Sequence, residues 1–94
     1  MHERALMIDV MKKIEEVARS DGASRVTRVS VRLGALSHFT PEHFCEHFDD
    51  ASLGTIAEGA EVDAVLETDV HAPYASGVVL KSVEVETVEP AEVP

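Results

Sequence analysis

Hydrophobic and polar residues follow a helical period in two parts of the chain. Between residues 3 and 20 apolar residues recur every three or four positions, and charged residues fill the opposite side. The apolar positions are Leu6, Met7, Val10, Met11, Ile14, Val17 and Ala18. This pattern predicts an amphipathic helix, with Gly22 as its C-terminal stop. A second helix is predicted to begin at Pro41, with Thr40 as its N-cap, and to close at Gly54. The apolar stripe predicted for the second helix consists of Phe44, Phe48 and Ala51, with Cys45 beside it.

A period of two predicts three strands, over residues 25–33, 60–67 and 78–86. The ten residues between the last two strands, 68–77, contain Pro73 and Gly77 and are predicted to form a loop. Strands joined by so short a loop are expected to pair as an antiparallel hairpin. The inward-facing positions predicted for the first strand are Thr27, Val29, Val31 and Leu33.

The element order α-β-α-β-β predicts an α+β fold, with two helices packed on one face of a three-stranded sheet. Residues 1–86 are expected to form a single domain, and the acidic segment 87–94 is expected to be a disordered tail. The outward positions of the first strand carry Arg28 and Arg32, whereas those of the other two strands are acidic. We therefore expect the arginine strand to lie beside an acidic one.

Composition narrows the range of functions. The net charge of −10, with 18 acidic and 8 basic residues, argues against a nucleic-acid partner. The single cysteine, Cys45, excludes an internal disulfide and fits a reducing compartment. No apolar stretch is long enough to cross a bilayer, so the sequence predicts no membrane partner and a cytoplasmic protein.

Met1, His2 and Glu3 carry the atoms of a nitrogen-rich metal site. Methionine aminopeptidases generally remove the first methionine only when the second residue is small. Because His2 is large, Met1 should be retained, with its amine next to the imidazole and amide nitrogens of His2. The amide nitrogen of Glu3 can complete a square plane, a geometry that Ni(II) and Cu(II) favour. The alternative is a solvated histidine at a frayed terminus.

His43 and His47 lie four residues apart, so their side chains share one face of the second helix. Two imidazoles at this spacing can chelate zinc, nickel or copper, and the alternative is a solvated polar helix face. In both cases the two histidines are expected to be largely exposed, because the apolar stripe of the helix is offset from them. His38 and His71 are expected to be surface residues. Cys45 beside His47 lacks a third, orienting group, and no phosphate loop or nucleophile elbow is present. The sequence therefore predicts no enzyme.

Several segments, in the same order along the chain, resemble the hydrogenase nickel-incorporation protein HypA family. The similarity covers roughly residues 1–67 and 78–86. The segments that carry it are Met1-His2-Glu3, residues 23–29, Gly34-Ala35-Leu36-Ser37 followed by Pro41-Glu42, Phe48, residues 54–61, and residues 80–86.

The resemblance implies a nickel metallochaperone that holds Ni(II) at His2, with the terminal amine and the backbone nitrogens of His2 and Glu3. It implies delivery to the large subunit of [NiFe]-hydrogenase, or service to urease, together with a nickel-maturation GTPase. Relatives carry a zinc domain with two Cys-x-x-Cys pairs between their last two strands. Here that place is taken by residues 68–77 without a cysteine, so no structural zinc is expected.

Three alternatives to this function stay open. The first is a metal-free docking or regulatory module for a hydrogenase subunit or a maturation factor. The second keeps nickel binding but places it at His43 and His47. The third is an enzyme that uses Cys45 and His47, a pair without an orienting group. Edge strands left uncovered by the missing zinc domain can also pair between chains and form a homodimer.

Overall fold

The computed structural model describes residues 2–87, and the side chains of residues 4–87. The elements follow in the order α1 (His2–Ser20), β1 (Arg25–Leu33), α2 (Pro41–Ser52), β2 (Glu61–Leu66) and β3 (Val78–Glu86). Each element lies within two residues of the bounds that the periodicity predicts. The α+β fold class is confirmed, whereas the predicted tail falls on residues 88–94, outside the described residues.

The two predicted helix stops are glycines in the left-handed region. Gly22 has φ of 64° and follows α1, and Gly54 has φ of 76° and follows α2. Glycine has no Cβ, so it adopts this conformation without the steric cost that other residues incur.

The strand order is β2-β1-β3, with β1 parallel to β2 and antiparallel to β3. The predicted hairpin between the last two strands is therefore wrong. β1 is the most buried strand, and its residues Val26, Val29, Val31 and Leu33 are at most 1% exposed. It lies in the centre of the sheet, whereas the inward residues of β2 and β3, at the edges, are only half-buried. Helix α2 supplies the crossover that a parallel β1–β2 pair requires.

The connection from β2 to β3 passes over the end of β1. The Glu67 N–H donates to the Leu33 carbonyl at 2.8 Å, where β2 ends. After the crossing, the Gly34 N–H donates to the Gly77 carbonyl at 2.8 Å, and the Leu36 N–H donates to Ala75 at 2.7 Å. The loop predicted over residues 68–77 is thus hydrogen-bonded to the end of the central strand.

Both helices cover the same face of the sheet and share one hydrophobic core. The buried residues of α1 (Met7, Val10, Met11, Ile14 and Ala18) meet Phe44 and Phe48 of α2 and the inward residues of β1. No helix in the described part of the chain is long and apolar enough to span a membrane.

Three apolar assignments from the periodicity are corrected by the structure. Val17 of α1 is 39% exposed. Ala51 is exposed, and Ser52 occupies the buried position of the last turn of α2 in its place. In β1 the buried residue is Val26 and not Thr27, because the pairing with β3 shifts register between Val26 and Arg28. Such an irregularity changes which side chain faces inward.

The outer face of the sheet carries the arginine and glutamate pairs that the sequence predicts. Arg28 lies 3.6 Å from Glu61, and Arg32 lies 3.4 Å from Glu67, which follows β2. On the other side Arg25 lies 3.8 Å from Glu86 of β3. The arginine strand therefore lies between two acidic neighbours. These pairs are solvent-exposed, so each is worth less than about 1 kcal/mol.

Candidate metal-binding sites

The first candidate site lies at the start of α1. The backbone of His2 and Glu3 belongs to the first turn of this helix, while their side chains and Met1 lie outside the described residues. N–H groups in the first turn of an α-helix have no intrahelical carbonyl partner. The helix therefore does not need the two amide nitrogens on which the predicted chelate depends. Metal binding by Met1, His2 and Glu3 stays a prediction.

The second candidate site depends on how α2 begins. Thr40 has extended backbone angles (φ −95°, ψ 160°), and its Oγ1 accepts a hydrogen bond from the His43 N–H at 3.1 Å. Pro41 takes the first helical position, where the missing N–H costs nothing. The predicted N-cap is confirmed. It places His43 in the first turn and His47 one turn later on the same face.

The structure brings the two imidazoles of α2 into direct contact. The Nε2 atoms of His43 and His47 lie 2.9 Å apart, and the ring centroids lie 4.5 Å apart. The expectation that this face is largely exposed is wrong, because both side chains are half-buried. Phe39, in the turn before α2, packs its ring 5.8 Å from the His43 ring and 6.1 Å from the His47 ring. Sequence reasoning missed Phe39, since no periodicity covers a turn residue.

His47 also lines a groove between the two helices, with a volume of about 600 Å³. Asp50 and Ala51 continue the α2 wall. The wall contributed by α1 combines apolar and charged side chains: Arg4, Met7, Ile8, Met11, Lys12 and Glu15. Since Arg4 lies two residues after His2, the groove leads from the His43–His47 pair to the first turns of α1.

The two other histidines of the described chain stand apart, as predicted. His38 is exposed, with φ of 68°, in the turn between β1 and α2. His71 is exposed in the loop after β2, and its backbone N–H donates to Asp69 Oδ1 at 2.9 Å. Over residues 4–87, no three side chains of histidine, cysteine, aspartate or glutamate converge as a metal cluster.

The environment of Cys45 is the opposite of what a nucleophile needs. Burial raises the pKa of the Cys45 thiol above its ordinary value, and the carboxylates of Asp49 and Glu42 raise it further. A catalytic cysteine requires a lowered pKa, because the thiolate is the reactive form. His47, the candidate base, has its Nε2 beside His43 instead. The Cys45–His47 enzyme alternative has no support in this geometry.

Two imidazoles in contact on a small α+β domain supply the kind of ligand that metal-handling proteins use. The model of one family, described as "Hydrogenase/urease nickel incorporation, metallochaperone, hypA", matches residues 1–72. The chain belongs to this HypA family, which confirms the resemblance found in the sequence.

Curated relatives and a solved structure agree with this assignment. The hydrogenase maturation factor HypA of Methylocella silvestris is 46% identical over 65 residues, which cover 67% of this chain and 56% of the relative. HypA of Chlorobium limicola is 38% identical over 63 residues, which cover 67% and 54%. The chain thus spans just over half the length of these relatives.

The fold is also that of a solved protein. The solution structure of the Ni metallochaperone HypA from Helicobacter pylori superimposes with a TM-score of 0.75, covering 94% of this chain and 100% of the other. The two sequences are 19% identical, so the likeness concerns the fold alone.

Proposed function

We propose that this chain is a nickel-binding metallochaperone domain, not an enzyme, that serves the maturation of [NiFe]-hydrogenase or urease. The observation that carries the proposal is the family match over residues 1–72, which includes the N-terminal residues and both helices. The family is described by nickel incorporation, and the relatives cited above are named hydrogenase maturation factors.

Nickel is the cargo, and Met1, His2 and Glu3 are its proposed ligands. The donors are the terminal amine, the His2 imidazole and the amide nitrogens of His2 and Glu3. Ni(II) favours such a nitrogen-rich square plane. The rest of α1 is anchored to the domain, since Met7, Val10 and the other inward residues of this helix are buried in the core.

Transfer would use the position of this site at the end of the chain. A site made of few ligands at a terminus can release its ion to a deeper site with more ligands. The proposed recipients and helpers are the hydrogenase large subunit and a nickel-maturation GTPase. A cytoplasmic location belongs to the same proposal and is in keeping with a single free cysteine.

We further propose that residues 1–86 form one nickel-binding domain without structural zinc. The sequence contains one cysteine, whereas two Cys-x-x-Cys pairs need four. The loop after β2 bridges to β3 through backbone hydrogen bonds to Gly34 and Leu36. In the described sheet β2 and β3 are edge strands, so pairing of two chains through an edge would form a homodimer. Light scattering coupled to gel filtration measures that state.

The proposal is tested by calorimetric titration of Ni(II) into protein with its native Met1 terminus. Two variants accompany it: His2→Ala, and a chain whose N-terminal amine is acetylated. We expect a tight site for one ion at the N-terminus, with a square-planar absorption spectrum, only when the native terminus is present. Affinity should fall as the pH is lowered, because protons compete with nickel for the imidazole, amine and amide nitrogens.

Glu3→Gln is the matched control, since this change alters a side chain but keeps the backbone nitrogen. It should bind like the parent. If the native, His2→Ala and acetylated proteins all bind alike, the N-terminal site is wrong. The ion then lies elsewhere in the chain or does not bind, and the docking module becomes the better explanation.

A further inference from the structure

We propose that His43 and His47 form a second metal site, which takes one divalent transition-metal ion of the Ni(II), Cu(II) and Zn(II) class. Nothing in this proposal depends on the N-terminal site. It rests on the half-buried imidazole pair of α2, whose Nε2 atoms lie 2.9 Å apart.

The separation of the two nitrogens matches the geometry of an imidazole-bound ion. Metal–nitrogen bonds to histidine are about 2.0–2.1 Å long, so two ligands at right angles lie roughly 2.9 Å apart. Tetrahedral ligands at the same bond length lie roughly 3.3 Å apart. The pair is therefore spaced for adjacent positions of a square-planar or octahedral ion, and tetrahedral zinc requires only a small opening.

Binding replaces the hydrogen bond that joins the two rings. A hydrogen bond between the two Nε2 atoms needs a proton on one of them and a lone pair on the other, so the two rings adopt different tautomers. For both lone pairs to face an ion, the proton must move from that Nε2 to Nδ1 of the same ring, by exchange through solvent. No third protein ligand converges on the pair among the described side chains. Water fills the remaining positions, which makes the ion exchangeable.

The fold holds both rings close to the binding arrangement. The helix beneath them is capped at Thr40 and anchored by Phe44 and Phe48, which are 0% exposed. The Phe39 ring packs against both imidazoles and restricts their rotamers. Ligands that are held in place before the ion arrives lose less conformational entropy when it binds.

The electrostatic surroundings favour a cation. Helix α2 carries Glu42, Glu46, Asp49 and Asp50 and has no lysine or arginine. Across the groove beside His47, α1 contributes Glu15 but also Arg4 and Lys12. Acidic groups outnumber basic ones around the pair, and a surplus of negative charge raises the local concentration of metal ions.

The test uses the chain with an acetylated N-terminal amine, so that the terminal chelate loses its amine ligand. Calorimetric titration with NiCl₂ should show one ion per chain, bound at the imidazole pair of α2. His43→Gln and His47→Gln should each weaken binding at least about tenfold, since even partners that only support a metal ligand are worth 10- to 100-fold. His38→Gln and His71→Gln are the matched controls and should bind like the parent.

Thermal unfolding, monitored by circular dichroism, shows whether a variant that loses metal binding is still folded. In EDTA the parent, the two α2 variants and the two controls should unfold at similar temperatures, because no altered side chain is fully buried. Added NiCl₂ should raise the midpoint of the parent and of both controls, since an ion that binds only the native state stabilises it. His43→Gln and His47→Gln should show no such rise.

Two results would overturn the proposal. One is an acetylated chain that takes up no Ni(II), Cu(II) or Zn(II) in the titration. The other is binding that survives both substitutions in α2. In either case the imidazole pair is only a hydrogen bond within the helix. Because the terminus is blocked throughout, the outcome is separate from that of the N-terminal nickel site.

Discussion

Replacing Gly34 by alanine should strongly destabilise the protein, because this residue sits where the loop from β2 to β3 crosses the end of β1. A Cβ atom at Gly34 would lie 2.1 Å from the Ala75 carbonyl oxygen and 2.6 Å from that of Tyr74. Both neighbours are backbone atoms, so a rotamer change cannot relieve the clash. The requirement for glycine comes from this contact and not from a left-handed φ.

The expected loss of stability can be worked out from the structure. Forcing a carbon atom into a packed site costs about 1–3 kcal/mol. Displacing the loop also weakens the hydrogen bonds from Gly34 to Gly77 and from Leu36 to Ala75, each worth about 0.5–1.5 kcal/mol. Alanine has fewer backbone conformations than glycine in the unfolded chain, and this entropic effect offsets about 0.4–1 kcal/mol of the loss. The net loss is roughly 2–4 kcal/mol, and at about 4–8 °C per kcal/mol it lowers the midpoint by roughly 10–30 °C.

Urea unfolding monitored by circular dichroism measures this loss directly. Gly77→Ala is the matched control in the same loop, because a Cβ there would meet only the Tyr74 carbonyl oxygen, at 3.8 Å. We expect the control to stay within about 1 kcal/mol of the parent. Equal stability of Gly34→Ala and Gly77→Ala would refute the close crossing of the loop over β1.

Three further predictions concern α2. Phe48→Ala should cost about 3–5 kcal/mol in urea unfolding because the ring is 0% exposed, whereas Leu53→Ala, at 65% exposure, should cost less than about 1 kcal/mol. Thr40→Ala should lose about 1 kcal/mol of stability with the N-cap, and equal losses for alanine and serine at this position would contradict the capping role. The raised pKa of Cys45 keeps its thiol protonated at neutral pH, so alkylation by iodoacetamide should be slow. Asp49→Asn removes one of the charges that raise this pKa and should shift the pH profile of alkylation downward; an unchanged profile would count against the electrostatic cause.

The elements themselves could be predicted because their signals are local. Apolar spacing in α1 and β1, the Thr40-Pro41 start of α2, and the glycines after both helices each act within a few residues. The exceptions lie where a neighbouring strand intervenes. Thr27 fits the period of two in β1, yet the register shift against β3 turns Val26 inward instead.

The candidate sites were predictable to different degrees. The spacing of His43 and His47 places them on one helix face, but the contact of their rings depends on side-chain rotamers and on Phe39. A helical period contains no information about a turn residue that folds back over the helix. The donor set of Met1, His2 and Glu3 follows from their chemistry and from family membership, and needs no long-range contact.

The sequence alone determined the number, type and order of the helices and strands, and the family to which the chain belongs. These follow from periodicity, capping residues and short motifs, which are local in the chain. Only the tertiary structure decided that β1 lies between β2 and β3, and that the loop beginning at Glu67 crosses over Gly34. The physical reason is that strand order depends on contacts between distant segments: the inner side chains of β1 are fully buried at the centre of the sheet, those of β2 and β3 are half-buried at its edges, and the connections must reach both sides of β1.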